Sequence, residues 1–114
     1  MIAEATTKAK ATSRSVRVWI EGNKLIKAGF LPDTPYQITH RRSSVTLELS
    51  EDGERRVTKA TRNGKPRPII DLHDSKIAAA FPAGTEVVVR YYDGVIIFSK
   101  KPSQNNVALE ESNA

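Results

Sequence analysis

Two apolar runs, EVVVRYY and VIIFS, stand on either side of Asp93-Gly94, and that arrangement leaves little choice of local structure. Each run has the length and the β-branched and aromatic content of a strand, and an Asp-Gly pair supplies the left-handed backbone that a tight hairpin turn demands. The same grammar recurs upstream. YQITH alternates Tyr36, Ile38 and His40, VTLEL alternates Val45, Leu47 and Leu49, and the polar turn RRSS joins them into a second hairpin. In SVRVWIEG, Val16, Val18 and Ile20 fall on one face, with Arg17, Trp19 and Glu21 on the other. A chain written in period two with Gly- and Pro-containing turns folds mainly as antiparallel β structure.

Two short segments break that period. GNKLIKAGF sets Ile26 and Phe30 four apart behind a capping Asn23, with Gly29 as exit, and HDSKIAAAF does the same with Ile77 and Phe81 behind Asp74 or Ser75. Each predicts one or two helical turns. A shift of 51 residues lays Ile26 on Ile77, Ala28 on Ala79, Phe30 on Phe81 and Thr34 on Thr85, in the repeated order strand, short helix, turn, hairpin. The chain reads as a duplication. One half alone would have open strands and too few apolar residues for a core, so the expectation is a single mostly β unit over residues 15–101. Its halves span 15–50 and 54–101, each with one short helix. Residues 1–14 read as a flexible basic arm and 102–114 as a flexible tail.

The totals narrow the function classes. A chain of 114 residues holds one modest core, and 39% hydrophobic with 27% charged residues fits a globular protein. Cysteine is absent, which removes disulfides and thiolate metal sites. No run approaches the ~20 apolar residues of a membrane span, so a cytoplasmic protein without a membrane partner is expected. Neither a nucleophile elbow nor a phosphate-binding glycine loop occurs. His73 lies between Asp71 and Asp74, yet Asp71 ends a strand and Asp74 suits a helix cap, and His40 bears no metal-site spacing to it. The sequence predicts neither an enzyme nor a cofactor.

RRVTKATRNGKPRP gathers Arg55, Arg56, Lys59, Arg62, Lys65 and Arg67 without an acid, against a net charge of +5 for the whole chain. Asn63-Gly64 marks a hairpin tip within it, and Pro66 and Pro68 keep the start of the second strand at an edge or unpaired. Alternation puts Arg56, Thr58, Ala60 and Arg62 on one face of the ribbon and Arg55, Val57, Lys59 and Thr61 on the other. Guanidinium groups on both flanks suit phosphates or guanine edges, while a charged edge that resists aggregation is the plainer alternative. If all six cations met phosphates, log affinity would fall with log salt at a slope of about −5. Arg41 and Arg42 make a second basic spot at a hairpin tip, and Lys8, Lys10 and Arg14 make a third in the arm. Trp19, beside Arg17, packs against the other half or stacks on a base or a partner protein.

PRPIIDLHDSKIAAAFPAGTEVVVRYYDGVIIFSKK resembles the SpoVT/AbrB swapped-hairpin domain: a basic hairpin, a strand, a short helix, a Gly-containing turn and two strands closing on a lysine pair. VWIEGNKLIKAGFLPDTPYQI is similar to the core of SymE-type proteins, and together the two likenesses cover about residues 16–101. The resemblance implies an AbrB-like swapped-hairpin barrel built from two tandem pseudo-repeats, as in MraZ-like members. It also implies binding of duplex DNA by a transcription regulator or antitoxin through arginines of the first hairpin, here Arg55 to Arg67. In the first half only KAKATSR stands where such a hairpin belongs, so a symmetric face is not required. SymE-type toxins act on RNA metabolism, which leaves an RNA-directed toxin as one alternative. A protein-binding inhibitor or interaction module from a mobile element is the other. Expected partners are a nucleic acid, a second copy forming a homodimer of pseudo-dimeric chains, or another protein.

Overall fold

The computed structural model describes residues 1–102, the side chain of Arg62 excepted. Its first half runs β1 (Ala3–Lys8), β2 (Lys10–Ala11), β3 (Val16–Glu21), α1 (Asn23–Lys27), β4 (Pro35–His40) and β5 (Ser44–Leu49). The second runs β6 (Arg55–Arg56), β7 (Thr58–Arg62), β8 (Lys65–Leu72), α2 (Ser75–Ala80), β9 (Glu86–Tyr92) and β10 (Val95–Lys100). The protein is mostly β with two short helices, as the alternation requires. The expected tail lies outside the described residues from 103 onward. Among the described residues no helix is long and apolar enough to cross a membrane.

The strands form two antiparallel sheets, ordered β1-β9-β10-β5-β4-β6 and β2-β3-β8-β7. Exchange each element for its counterpart in the other half, β1 for β6, β2 for β7 and so on, and both orders reverse into themselves. The topology thus has a two-fold relation between the halves. Each half lends its first strand to the other half's hairpin: β1 pairs with β9, and β6 pairs with β4. At the centre, β5 pairs with β10 and β3 with β8.

Residues 1–14 need correction, because they are not an arm. Ala3 to Lys8 pair in register with Tyr91 to Glu86, and Lys10 and Ala11 pair with Arg17 and Val16. Ala3 and Ala5 alternate inward against the core, but alanine and threonine carry so faint a hydrophobic period that composition hides the strand.

Among the described residues no closed barrel forms, since each sheet runs from one edge strand to another. The ribbons change sheet at one buried residue apiece, Ala9 and Val57, each 1% exposed. Ala9 donates to the Thr85 carbonyl at 2.9 Å and accepts from Gly84 at 2.8 Å; Val57 donates to Thr34 at 3.0 Å and accepts from Asp33 at 2.8 Å. Gly84 and Asp33 both adopt the left-handed backbone, with φ of 89° and 68°. The corners are therefore built alike, which buries a strand bend without orphaning its amide groups.

One hydrophobic cluster draws on both sheets and both helices, including Val18, Ile20, Ile70, Leu72, Phe30, Phe81, Val45, Leu47, Ile96 and Phe98. In α1 the expected anchor is displaced by one residue: Ile26 is 43% exposed, and Leu25 is fully buried. Leu25 stands where Ile77 does in α2, since Phe30 donates to the Leu25 carbonyl at 2.9 Å and Phe81 to the Ile77 carbonyl at 2.8 Å. The extra residue is absorbed at Gly29, whose φ of 92° turns the chain out of the helix. Asn23 does not cap α1; Gly22 holds that place with no side-chain bond. Asp74 caps α2 as expected, accepting from Ile77 N–H at 2.9 Å.

Candidate nucleic-acid interface

The basic ribbon forms where the sequence puts it, with β7 and β8 paired from Thr58–Ile69 to Arg62–Lys65. Its tip is a two-residue turn with both centres left-handed, Asn63 at φ 53° and Gly64 at φ 77°, the backbone an Asn-Gly pair accepts most easily. Pro66 and Pro68 sit inside β8. The Pro68 carbonyl accepts from Gly22 N–H at 3.2 Å, so even-numbered residues of β8 turn toward β3 and neither proline interrupts the ladder to β7.

The ribbon is not the uncompensated cationic finger that the sequence suggests. Arg55 reaches the Asp74 carboxylate at 3.0 Å, Lys59 reaches Asp33 at 3.4 Å, and Arg67 lies 3.9 Å from Glu21 while covering Gly22. Arg56 donates to the Asp33 carbonyl at 3.0 Å. Lys65 is exposed beside the tip, in a hollow of 410 Å³ shared with Arg67, Pro66, Asn63 and residues of α1. The acids come from the end of β3 and from the loops before β4 and before α2, all outside the run of residues 55–67. These pairs are part-exposed, so each contributes little to stability and a phosphate can compete for the cation.

Burial raises the Asp74 carboxyl, but the Ile77 N–H and the Arg55 guanidinium outweigh it and hold the group below its ordinary value. Asp74 thus stays charged for both partners. Desolvation lifts the Tyr36 phenol above its usual range despite the neighbouring Arg55.

Arg55, Arg56 and Lys59 line an open groove of about 470 Å³ with Trp19, Asp71 and His73. On the other side of Trp19 lies a groove of about 410 Å³ formed by Thr7, Lys8, Lys10 and Arg17. These grooves are counterparts under the exchange of halves. Lys8 faces the first residue of β9 as Arg56 faces the first of β4, and Lys10 faces Arg17 on β3 as Thr58 faces Ile69 on β8. Trp19 and Asp71, which pair directly across β3 and β8, sit between them. The indole is 39% exposed, with the Arg17 guanidinium 5.4 Å from its ring centroid.

Sequence reasoning named Lys8 and Lys10 as possible phosphate contacts but placed them on an arm, and it gave Arg17 no role. The signal that finds this second groove is the strand pairing of residues 3–11, which only the fold reveals. Arg41 and Arg42 do not join the site; they are exposed at the β4–β5 tip on the six-stranded sheet. Asp71 meets Arg17 at 3.0 Å and Asp74 caps α2, so both carboxylates beside His73 are engaged elsewhere. Comparison with protein-family models, with curated proteins and with solved structures finds no match to this chain.

Proposed function

We propose that this chain is an AbrB-like swapped-hairpin protein in tandem form that binds duplex DNA and acts as a transcription regulator or antitoxin. The observation that carries this reading is the pair of equivalent cationic grooves about the Trp19–Asp71 pair. Duplex phosphates run along two strands of opposite polarity, and two grooves exchanged by a two-fold relation match that polarity where a single patch does not. Backbone contacts fall to Lys8, Lys10 and Arg56, which form no ion pair among the described residues, and to Arg17, Arg55 and Lys59 once phosphate replaces their acids.

Fluorescence anisotropy with random-sequence duplex DNA, single-stranded DNA and RNA across a salt series tests the proposal. Duplex is expected to bind most tightly, with a log–log salt slope of about −3 from the three unpaired cations rather than about −5. Arg56→Ala is expected to reduce that slope by about 1 while leaving the melting temperature unchanged. A salt-independent affinity, or none, overturns the reading. The exposed Trp19 favours one alternative, stacking of an unpaired base as an RNA-directed protein would require; RNA displacing duplex in the same assay selects it.

A further inference from the structure

The two-fold relation fails at one place. β1 covers the outer side of β9 over six residues, from Tyr91 to Glu86, whereas β6 covers its counterpart β4 only at Pro35 and Tyr36. The cause is the connection from β5. Leu49 lies opposite Tyr36, Ser50 donates to the Pro35 carbonyl at 3.2 Å, and Gly53 crosses so near Tyr36 that an added Cβ would lie 2.4 Å from its backbone. A connection of five residues, Ser50 to Glu54, enters the lane beside Tyr36 and lacks the length to begin at His40.

Among the described residues, nothing bonds the backbone groups on the uncovered side. Pro35 and Arg41 both bond across to β5, through Ser50 and Ser44, so odd residues of β4 face β5. Thr34 bonds Val57 and Tyr36 pairs with Arg55, so even residues face the other way. Ile38 and His40 are left with N–H and C=O groups directed into the open lane. An exposed run of this kind templates another strand.

We infer that the lane is a docking site for the same edge of a second copy of this chain. Antiparallel pairing with Thr39 opposite the second copy's Thr39 sets Ile38 opposite the second copy's His40, and the reverse. That register engages both open residues of each chain and stops short of β6. Gln37 then meets the second copy's Arg41, where the strand turns away through the Arg41–Ser44 bond. Arg41 and Arg42 of each copy arrive at a cavity of about 300 Å³ whose mouth holds Gln37, Asp52, Gly53 and Glu54 of the other. Four exposed cations thus meet four exposed carboxylates, two of each per chain, and Thr39 contributes the Thr–Thr pair that antiparallel strands favour. The result is a continuous sheet through both molecules, formed independently of the cationic grooves.

Sedimentation velocity of the full chain at low salt, from micromolar to submillimolar concentration, tests the inference. A concentration-dependent dimer is expected. Thr39→Lys sets like charges face to face at the symmetry axis and is expected to weaken association at least tenfold with an unchanged melting curve. An R41E/R42E variant and a D52K/E54K variant are each expected to be monomers, and their mixture is expected to form a heterodimer. A monomer at every concentration overturns the inference, as does a dimer indifferent to Thr39→Lys. So does a dimer that appears only after removal of residues 103–114, because the lane then belongs to the chain's own tail. Duplex affinity of Thr39→Lys, measured in parallel, separates this outcome from failure of the nucleic-acid reading.

Discussion

His40 shows how much one position depends on what the fold places around it. In the sequence it is the third alternating residue of a strand; in the structure its ring turns inward, and Nε2 finds no hydrogen-bond partner among the described residues. Burial, with Lys76 and Arg55 nearby, holds the ring below its ordinary pKa of 6.5, and Asp74 opposes them only in part. The native state therefore resists a proton that the unfolded chain accepts. Its contribution to stability is fully present above pH 6.5 and falls as pH drops below that value toward the native pKa. Urea midpoints measured from pH 7.5 to 5 are expected to decline for the native sequence and to flatten for His40→Gln. An equal slope in both proteins refutes the shielding of this ring.

At the scale of elements, strands with strong alternation and turns with explicit chemistry were readable in advance. The Asp93-Gly94 and Asn63-Gly64 hairpins stand where those residues put them, because left-handed backbone is a local demand. The α1 register was not readable, since Leu25 and Ile26 are adjacent and the matching Ile-x-x-x-Phe spacing in α2 favours the wrong one. What decides between them is how the chain leaves at Gly29: the glycine marks the exit in the sequence, but not which of the two residues that exit turns into the core. Leu25→Ala is expected to cost about 2–5 kcal/mol and Ile26→Ala no more than about 0.5 kcal/mol, measured by chemical denaturation. Reversal of that order would return the helix to the register its spacing suggests. The grooves were half readable: Arg55, Arg56 and Lys59 announce themselves as a run, whereas Lys8, Lys10 and Arg17 become a site only when β1 and β2 pair.

For the molecule as a whole, the balance between cations and their acids sets what a polyanion would meet. Asp33 is the most revealing control because it holds Lys59 at 3.4 Å and also keeps φ at 68°, a conformation asparagine tolerates. Asp33→Asn should leave the corner at Val57 intact and release Lys59. Duplex affinity is expected to rise, with the salt slope steeper by about 0.9, in the same anisotropy assay. An unchanged slope would show that Lys59 lies outside the contact.

The exchange of first strands also governs how the protein is made. Ala3–Lys8 leaves the ribosome about eighty residues ahead of its mate Glu86–Tyr92. At about 5–20 residues per second, roughly 4–16 s pass with the segment waiting in water. AEATTK, whose apolar side chains are no larger than alanine, can wait without seeking a wrong mate, and a more apolar nascent segment would put every newborn copy at risk of clumping during translation.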